Sequence, residues 1–321
     1  MRSITSVILS LVAGSAAGEI SLTLPIDCTL GDDCYIQQVV DQDPSDGIKD
    51  FQCGLMTYDG HKGTDFALPS LAAVERGVAV LAAAQGEIRA VRDSMADILQ
   101  GASSAPDVSG KECGNGVVIR HENGWETQYC HMAQGSIAVS VGDQVEAGDT
   151  LGFVGLSGQT EFPHLHLSLR WRGEVVDPFD PDMENLCDAP TQALWDDKIT
   201  VPAGGLISAG FAPAVPEYEA IKAGEAAATT LPTNAPALVV WGYGFGTQTG
   251  DLIDLEITGP DGVIFETEQE MTSNQAQMFR AGGRRTPDGG WPLGDYIGEV
   301  KHLRDGDIID QQTTSVTIVG N

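Results

Sequence analysis

Four of the six histidines in this chain fall in three short motifs, and those motifs are where chemistry can be built. Two lie in Phe162-Pro163-His164-Leu165-His166-Leu167, an apolar stretch just after a Gly-rich turn. Residues two apart in a β-strand point to one face, so His164 and His166 would present two imidazoles to the same cavity. That is half of a metal site. The other half calls for another histidine near a carboxylate, and His61-Lys62-Gly63-Thr64-Asp65 supplies both, four residues apart. Two imidazoles and a carboxylate are a common ligand set for catalytic zinc and leave the fourth tetrahedral position to water, whereas a closed structural site uses four protein ligands. His131 lies in Tyr129-Cys130-His131-Met132, where strand alternation would put Tyr129 and His131 on one face.

The elements able to position such side chains are short strands. From Gly54 onward, Ala79 to Ala84, Gly86 to Arg92, Val117 to His121, Trp125 to His131, Leu151 to Val154 and His164 to Arg170 are rich in Val, Ile or alternating apolar residues and bounded by Gly, Asp or Asn. Antiparallel β structure is the expectation. Between them, Asp93 to Gly110 is Ser/Ala/Gly/Asp-rich with a helix-like Met95 to Leu99, and reads either as a surface loop or as a wall of the site. Residues 19–53 read as an N-terminal extension with little periodicity and many acids. Within it, Asp41 to Gly47 is similar to an EF-hand loop, but the glycine comes one position late and no glutamate closes the loop, so a solvated turn is expected.

Taken in order and at their spacing, the motifs resemble those of the lysostaphin/LytM-type zinc metallopeptidases, which cleave peptide bonds in peptidoglycan. The resemblance runs from about Gly54 to Asp180. It includes His61 to Asp65, Gly114 to Ile119 before His121, Tyr129 to His131, Val141-Gly142-Asp143, Gly148 to Gly152, Val154 to Gly158 and Pro163 to His166. It implies the duplicated hybrid motif fold for residues 54–182, one zinc ion per chain held by His61, Asp65 and His166, and His131 and His164 facing the substrate. No HExxH is present, so the glutamate base of thermolysin-like enzymes is missing. Histidine, with a pKa of about 6.5, is the available substitute. His131 and His164 are therefore assigned jointly to general acid/base work and oxyanion stabilisation, while Asn115 and Tyr129 would either orient the site or bind substrate, or serve the structure alone. In some members of that family an N-terminal segment covers the zinc cleft, a role open to residues 19–53. Substrates would be stem or cross-bridge peptides of peptidoglycan. A non-catalytic wall-binding or hydrolase-activating protein, or a zinc peptidase acting on proteins, are the other readings.

The six cysteines all lie between Cys28 and Cys187 and suggest disulfides in an oxidising compartment. Cys113 with Cys130 is the preferred pair, since each sits beside a core motif on segments expected to be neighbouring strands. Export also fits residues 1–18, where Arg2, the apolar run Ile4 to Ala13 and Ser15-Ala16-Ala17 resemble a secretory signal too short to span a bilayer. The destination would be periplasmic or extracellular.

A formal charge of −29 over 321 residues disfavours nucleic acid, whose phosphates need a basic surface. A lipoyl- or biotinyl-type carrier, suggested by the Gly-Asp turns of Val141 to Asp149, fails because no lysine occurs between Glu112 and Asp197. The length suits two domains. A linker at residues 183–204 is followed, over residues 205–321, by about seven short alternating segments from Leu206 to Val319. These suggest an immunoglobulin-like β-sandwich, without a catalytic cluster and with its partner unassigned. His121 and His302 read as ordinary histidines rather than ligands.

Overall fold

In the computed structural model, residues 20–183 and 192–320 are described; the expected leader and Cys187 lie outside them. The fold is mainly β, with largely antiparallel sheets in its two halves. The first half contains β1 (Tyr35–Gln38), β2 (Thr64–Ala67), α1 (Leu71–Glu75), β3 (Ala79–Leu81), β4 (Gly86–Arg92), β5 (Asn115–Arg120) and β6 (Trp125–Met132). It continues with β7 (Gln144–Val145), β8 (Thr150–Phe153), β9 (His164–Trp171) and β10 (Glu174–Val176). The main sheet runs β1-β2-β9-β6-β5-β4-β7, with β10 also on β9, and a small β3-β8 sheet packs beside it.

Strand β9 shows how the sequence sets the site. Its Leu165, Leu167 and Leu169 are all buried in the core. Each such leucine contributes about 1.5–3 kcal/mol. Alternation then turns His164, His166 and Ser168 to the opposite face. On the neighbouring strand, Phe66 is buried in the same core, and the antiparallel register sets Asp65 across from His166 and Ala67 across from His164.

Two segments differ from expectation. The N-terminal extension is not without regular structure: β1 pairs with β2, and Ile36, Val39 and Val40 are buried beneath it. Tyr35-Ile36-Gln37-Gln38 is too short and too mixed to give periodicity, and the strand exists because β2 offers it an edge. In the Asp41 loop, the Asp41 carboxylate accepts the backbone N–H groups of Asp43, Lys49 and Gly60, so it closes a turn of its own chain. Met95 to Leu99 is not helical. The Asn115 side chain takes both the N–H and the carbonyl of Met95, and Asp97 accepts the N–H groups of Gln134 and Leu156, which hold the segment against the sheet.

The second half contains β11 (Gly205–Ala212), α2 (Tyr218–Ala223), β12 (Thr230–Pro232), β13 (Ala237–Thr247), β14 (Leu252–Gly259), β15 (Gly262–Glu270), β16 (Gln275–Arg285), β17 (Gly294–Arg304) and β18 (Asp307–Val319). A three-stranded sheet, β11-β13-β16, and a five-stranded sheet, β12-β18-β17-β14-β15, share a core that includes Phe211, Val240, Leu255 and Val300. They form a two-sheet sandwich. All pairings in it are antiparallel except β12 on β18. His302 is buried here, with Nε2 2.7 Å from Asp251, whose carboxylate also takes two N–H groups of Arg304. A separate apolar cluster of Tyr35, Met56, Ala67 and Phe245 joins the two halves. No described helix is long and apolar enough to cross a membrane.

Candidate metal and catalytic site

Asp65, His61 and His166 converge where β2 meets β9. Asp65 Oδ1 lies 2.8 Å from His166 Nδ1 and 3.3 Å from His61 Nε2, and the two ring nitrogens are 3.2 Å apart. A tetrahedral zinc with bonds of about 2.0–2.1 Å sets its ligand atoms about 3.3 Å from one another, so this donor set fits the ion in size and chemistry. Each ring is held from behind. His61 Nδ1 donates to the Val39 carbonyl at 2.7 Å, and His166 Nε2 lies 3.0 Å from Ser168 Oγ. Such partners fix which nitrogen keeps its lone pair for a metal.

Two further imidazoles stand beside this set. His131 Nδ1 donates to the Ser157 carbonyl at 2.9 Å, and His164 Nδ1 to the Phe162 carbonyl at 2.9 Å, with Thr160 Oγ1 3.0 Å away. Carbonyls only accept, so both Nε2 atoms carry lone pairs. The two ring centroids are 4.6 Å apart, and Phe162 stacks on His164 at 4.3 Å. His164 Nε2 lies 3.6 Å from Asp65.

Charge follows from this packing. Burial would push the Asp65 carboxyl up, but His61 and His164, with hydrogen bonds from His166 and His61, hold it well below the usual carboxylate range. For His61, burial works downward and is outweighed by the charge and hydrogen bond of Asp65, which raise it. Burial, followed by the neighbouring His164 and His166, holds His131 well below the ordinary imidazole value. Burial also lowers His164. Both are neutral near pH 7, with lone pairs available to accept a proton.

Alternation does not hold along β6. Between Asn115 opposite Met132 and Val117 opposite Tyr129, β6 carries one extra residue, and His131 takes a left-handed φ of 63°. Bulges of this kind re-aim a side chain near functional sites. Here His131 turns to His164, while Tyr129 stays in the core and its hydroxyl accepts the Ala83 N–H. Asn115 is equally buried, its side chain spent on the carbonyls of Met95 and Met132 and on the Met95 N–H. Both Asn115 and Tyr129 are fully buried: Asn115 holds the Met132 carbonyl next to His131, and Tyr129 holds the Ala83 backbone within the core. His121 is apart from the site, bound to Gln85 and Thr127.

The described cysteines are all in disulfides. Cys113 is joined to Cys130, which precedes His131, and Cys28 to Cys34. His131 N–H donates to the Cys113 carbonyl, so this bridge and the bulge reinforce one another.

The site opens into a cleft of about 1250 Å³. Tyr58 borders it, its ring 4.5 Å from His61, and residues 99–102 form one wall. The sequence reading gives no role to Tyr58, Ser157, Thr160 or Phe162, although Ser157 and Phe162 lie within its motifs. Tyr58 and Phe162 act through ring contacts, Ser157 and Phe162 through backbone carbonyls and Thr160 through its hydroxyl, and none of these contacts follows from spacing along the chain.

A His/Asp/His donor set beside two neutral imidazoles, presented by an antiparallel sheet to an open cleft, has the composition of a metal-dependent hydrolase site. Residues 59–178 match the profile of Peptidase family M23, and the chain carries an M23 domain over that stretch. Over 124 residues it is 35% identical to the DD-carboxypeptidase/endopeptidase Mpg of Neisseria meningitidis, covering 39% of this chain and 23% of Mpg. The peptidoglycan DD-endopeptidase ShyA of Vibrio cholerae is 28% identical over 134 residues, covering 42% of this chain and 26% of ShyA. The chain therefore spans about a quarter of the length of these relatives. Among solved structures, the catalytic domain of the prophage-encoded M23 protein EnpA from Enterococcus faecalis aligns at 25% identity with a TM-score of 0.33, covering 48% of this chain and 93% of that one.

Proposed function

We propose that the protein is an exported zinc metalloendopeptidase that hydrolyses peptide cross-links of peptidoglycan. The observation that carries this reading is the close approach of His61, Asp65 and His166 donor atoms beside two imidazoles whose Nε2 atoms are unspent. It is supported by the M23 domain and by relatives named for peptidoglycan endopeptidase activity. The disulfides suit an oxidising compartment outside the cytoplasm.

His61 Nε2, Asp65 Oδ1 and His166 Nδ1 would hold the ion. Zinc bound there would polarise the scissile carbonyl and lower the pKa of a bound water to about 7. His131 and His164 do the proton work. With each Nδ1 committed to a carbonyl, each Nε2 is the atom that takes a proton from the attacking water, returns it to the leaving amine or donates a hydrogen bond to the oxyanion. Rings 4.6 Å apart titrate as a coupled pair, so the roles belong to the pair. The cleft is large enough for an extended peptide rather than a single side chain.

The test is zinc-dependent release of soluble fragments from purified peptidoglycan, with new ends identified by mass spectrometry. His61→Ala should lose both zinc and activity. His131→Ala should keep zinc and lose about 10²–10⁴-fold in kcat, the usual contribution of a general acid/base. A zinc-loaded wild type that releases nothing, or His131→Ala with unchanged turnover, would sink the proposal.

A further inference from the structure

The cleft is not built by the M23 stretch alone. Tyr218, Glu219 and Lys222 of α2, with residues 275–279 of β16, line it together with residues 99–102. These sandwich residues are held in place by contacts that are apolar and specific. The Tyr35 and Phe245 rings are 4.5 Å apart, and Phe162, which stacks on His164, packs against the same cluster. Gln277 Nε2 donates to Gln37 Oε1 at 3.0 Å, and that oxygen also accepts the Tyr35 hydroxyl at 2.9 Å. At Gly246 an added Cβ would lie 2.7 Å from the Met56 sulfur, so the two halves are in direct contact there. The sandwich is a wall of the catalytic cleft.

Charge gives that wall a ligand. Among the cleft-lining residues Lys222 is the one lysine or arginine, and the acids there are Asp65, Glu161 and Glu219. In a chain of net charge −29, a cation facing the cleft is the feature able to attract an anionic group. Its ammonium is positioned by the Tyr218 ring, 5.0 Å away, and by Glu219 at 2.8 Å. Glu219 is 80% exposed, so its hold on the ammonium is loose and an incoming carboxylate can share it.

We propose that Lys222, presented by the sandwich and backed by Tyr218, is a specificity-determining residue that receives a free carboxylate of the peptidoglycan stem peptide lying in the cleft. This rests on the proposed hydrolysis of peptidoglycan peptides for the nature of the ligand, but not for the existence of the subsite. The sandwich then selects substrate, rather than serving as a remote wall-binding module.

The probes are a synthetic cross-linked stem-peptide dimer ending in a free carboxylate and the same dimer ending in a carboxamide. Hydrolysis is measured on the full zinc-loaded chain, and binding by calorimetry on zinc-loaded His131→Ala. Wild type should show a KM roughly tenfold lower for the acid than for the amide, the equivalent of one modest charged contact. Lys222→Met, which keeps the apolar stem, should raise KM for the acid to that of the amide, with the change in KM rather than in kcat. Equal binding of acid and amide by the Lys222-bearing chain, or an undiminished preference in Lys222→Met, overturns the subsite. Binding that prefers the acid through Lys222 without hydrolysis by wild type would instead overturn the peptidase reading and leave the subsite standing.

Discussion

A methyl group on Gly63 would sit 2.6 Å from His166 Nε2 and 2.5 Å from the Leu167 carbonyl oxygen. The glycine between His61 and Asp65 is therefore a requirement of the donor set, since its bare Cα lets β9 come close enough for His166 Nδ1 to reach Asp65. Gly63→Ala must push the imidazole or the strand away. The expected result is zinc content well below one per chain where wild type is fully loaded, with activity lower by about 10–100-fold, as when the supports of a metal ligand are lost. Metal analysis beside thermal unfolding checks this, and a fully loaded, fully active variant would contradict it. The histidines and Asp65 are legible from spacing because residue type itself carries metal chemistry. Gly63 is legible only as part of a motif, and its reason appears once the His166 ring is in view.

At the scale of elements, alternation reveals the strands whose apolar side chains fill a core. Strands β9, β14 and β17 fall where their leucines, isoleucines and valines say they should. What alternation misses depends on partners. Strand β1 is made by the edge of β2, and the short α2 follows Pro216 and Glu217 without a strong apolar period. The bulge in β6 is also hidden, because a left-handed non-glycine residue costs about 1–2 kcal/mol and exists only where neighbours impose it. At His131 those neighbours are the Cys113–Cys130 bridge and the Ser157 carbonyl. The segment at residues 93–110 is likewise set by its pins. Asp97 is one of these pins, accepting from Gln134 and Leu156, and the cleft wall at residues 99–102 follows directly. Asp97→Ala should loosen this wall, seen as faster hydrogen exchange over residues 95–102 and a KM raised several-fold. Zinc content should be unchanged, since no ligand touches Asp97; loss of zinc would mean that the segment at residues 93–110 also supports the donor set.

Over the whole molecule, the N-terminal extension, the sheet that carries the donor set and the sandwich are tied together by side chains that are buried and, in places, ionisable. Asp177, just past β10, is fully buried, takes the Phe179 N–H and the Gln42 amide of the extension, and lies near Asp180 and Asp50. Burial first, and those acids in addition, push its carboxyl up from 3.8 to about 7. Below pH 4 the group is protonated in both the folded and unfolded chain. Between about 4 and 7 the folded protein keeps a proton that the unfolded chain has released, so stability falls as pH rises through that window. Above 7 the full cost is present, at most about 4 kcal/mol. Asp177→Asn removes the charge and keeps the hydrogen bonds, because the Gln42 amide can rotate to accept from the new amide. Its Tm should match wild type near pH 4 and exceed it at pH 8, and the gap should open between those values. Added salt should raise both proteins alike, by screening the surface repulsion of a chain carrying −29, and leave the gap in place, since a buried carboxylate is scarcely screened. A gap that closes in salt, or is as wide at pH 4 as at pH 8, would locate the pH dependence elsewhere.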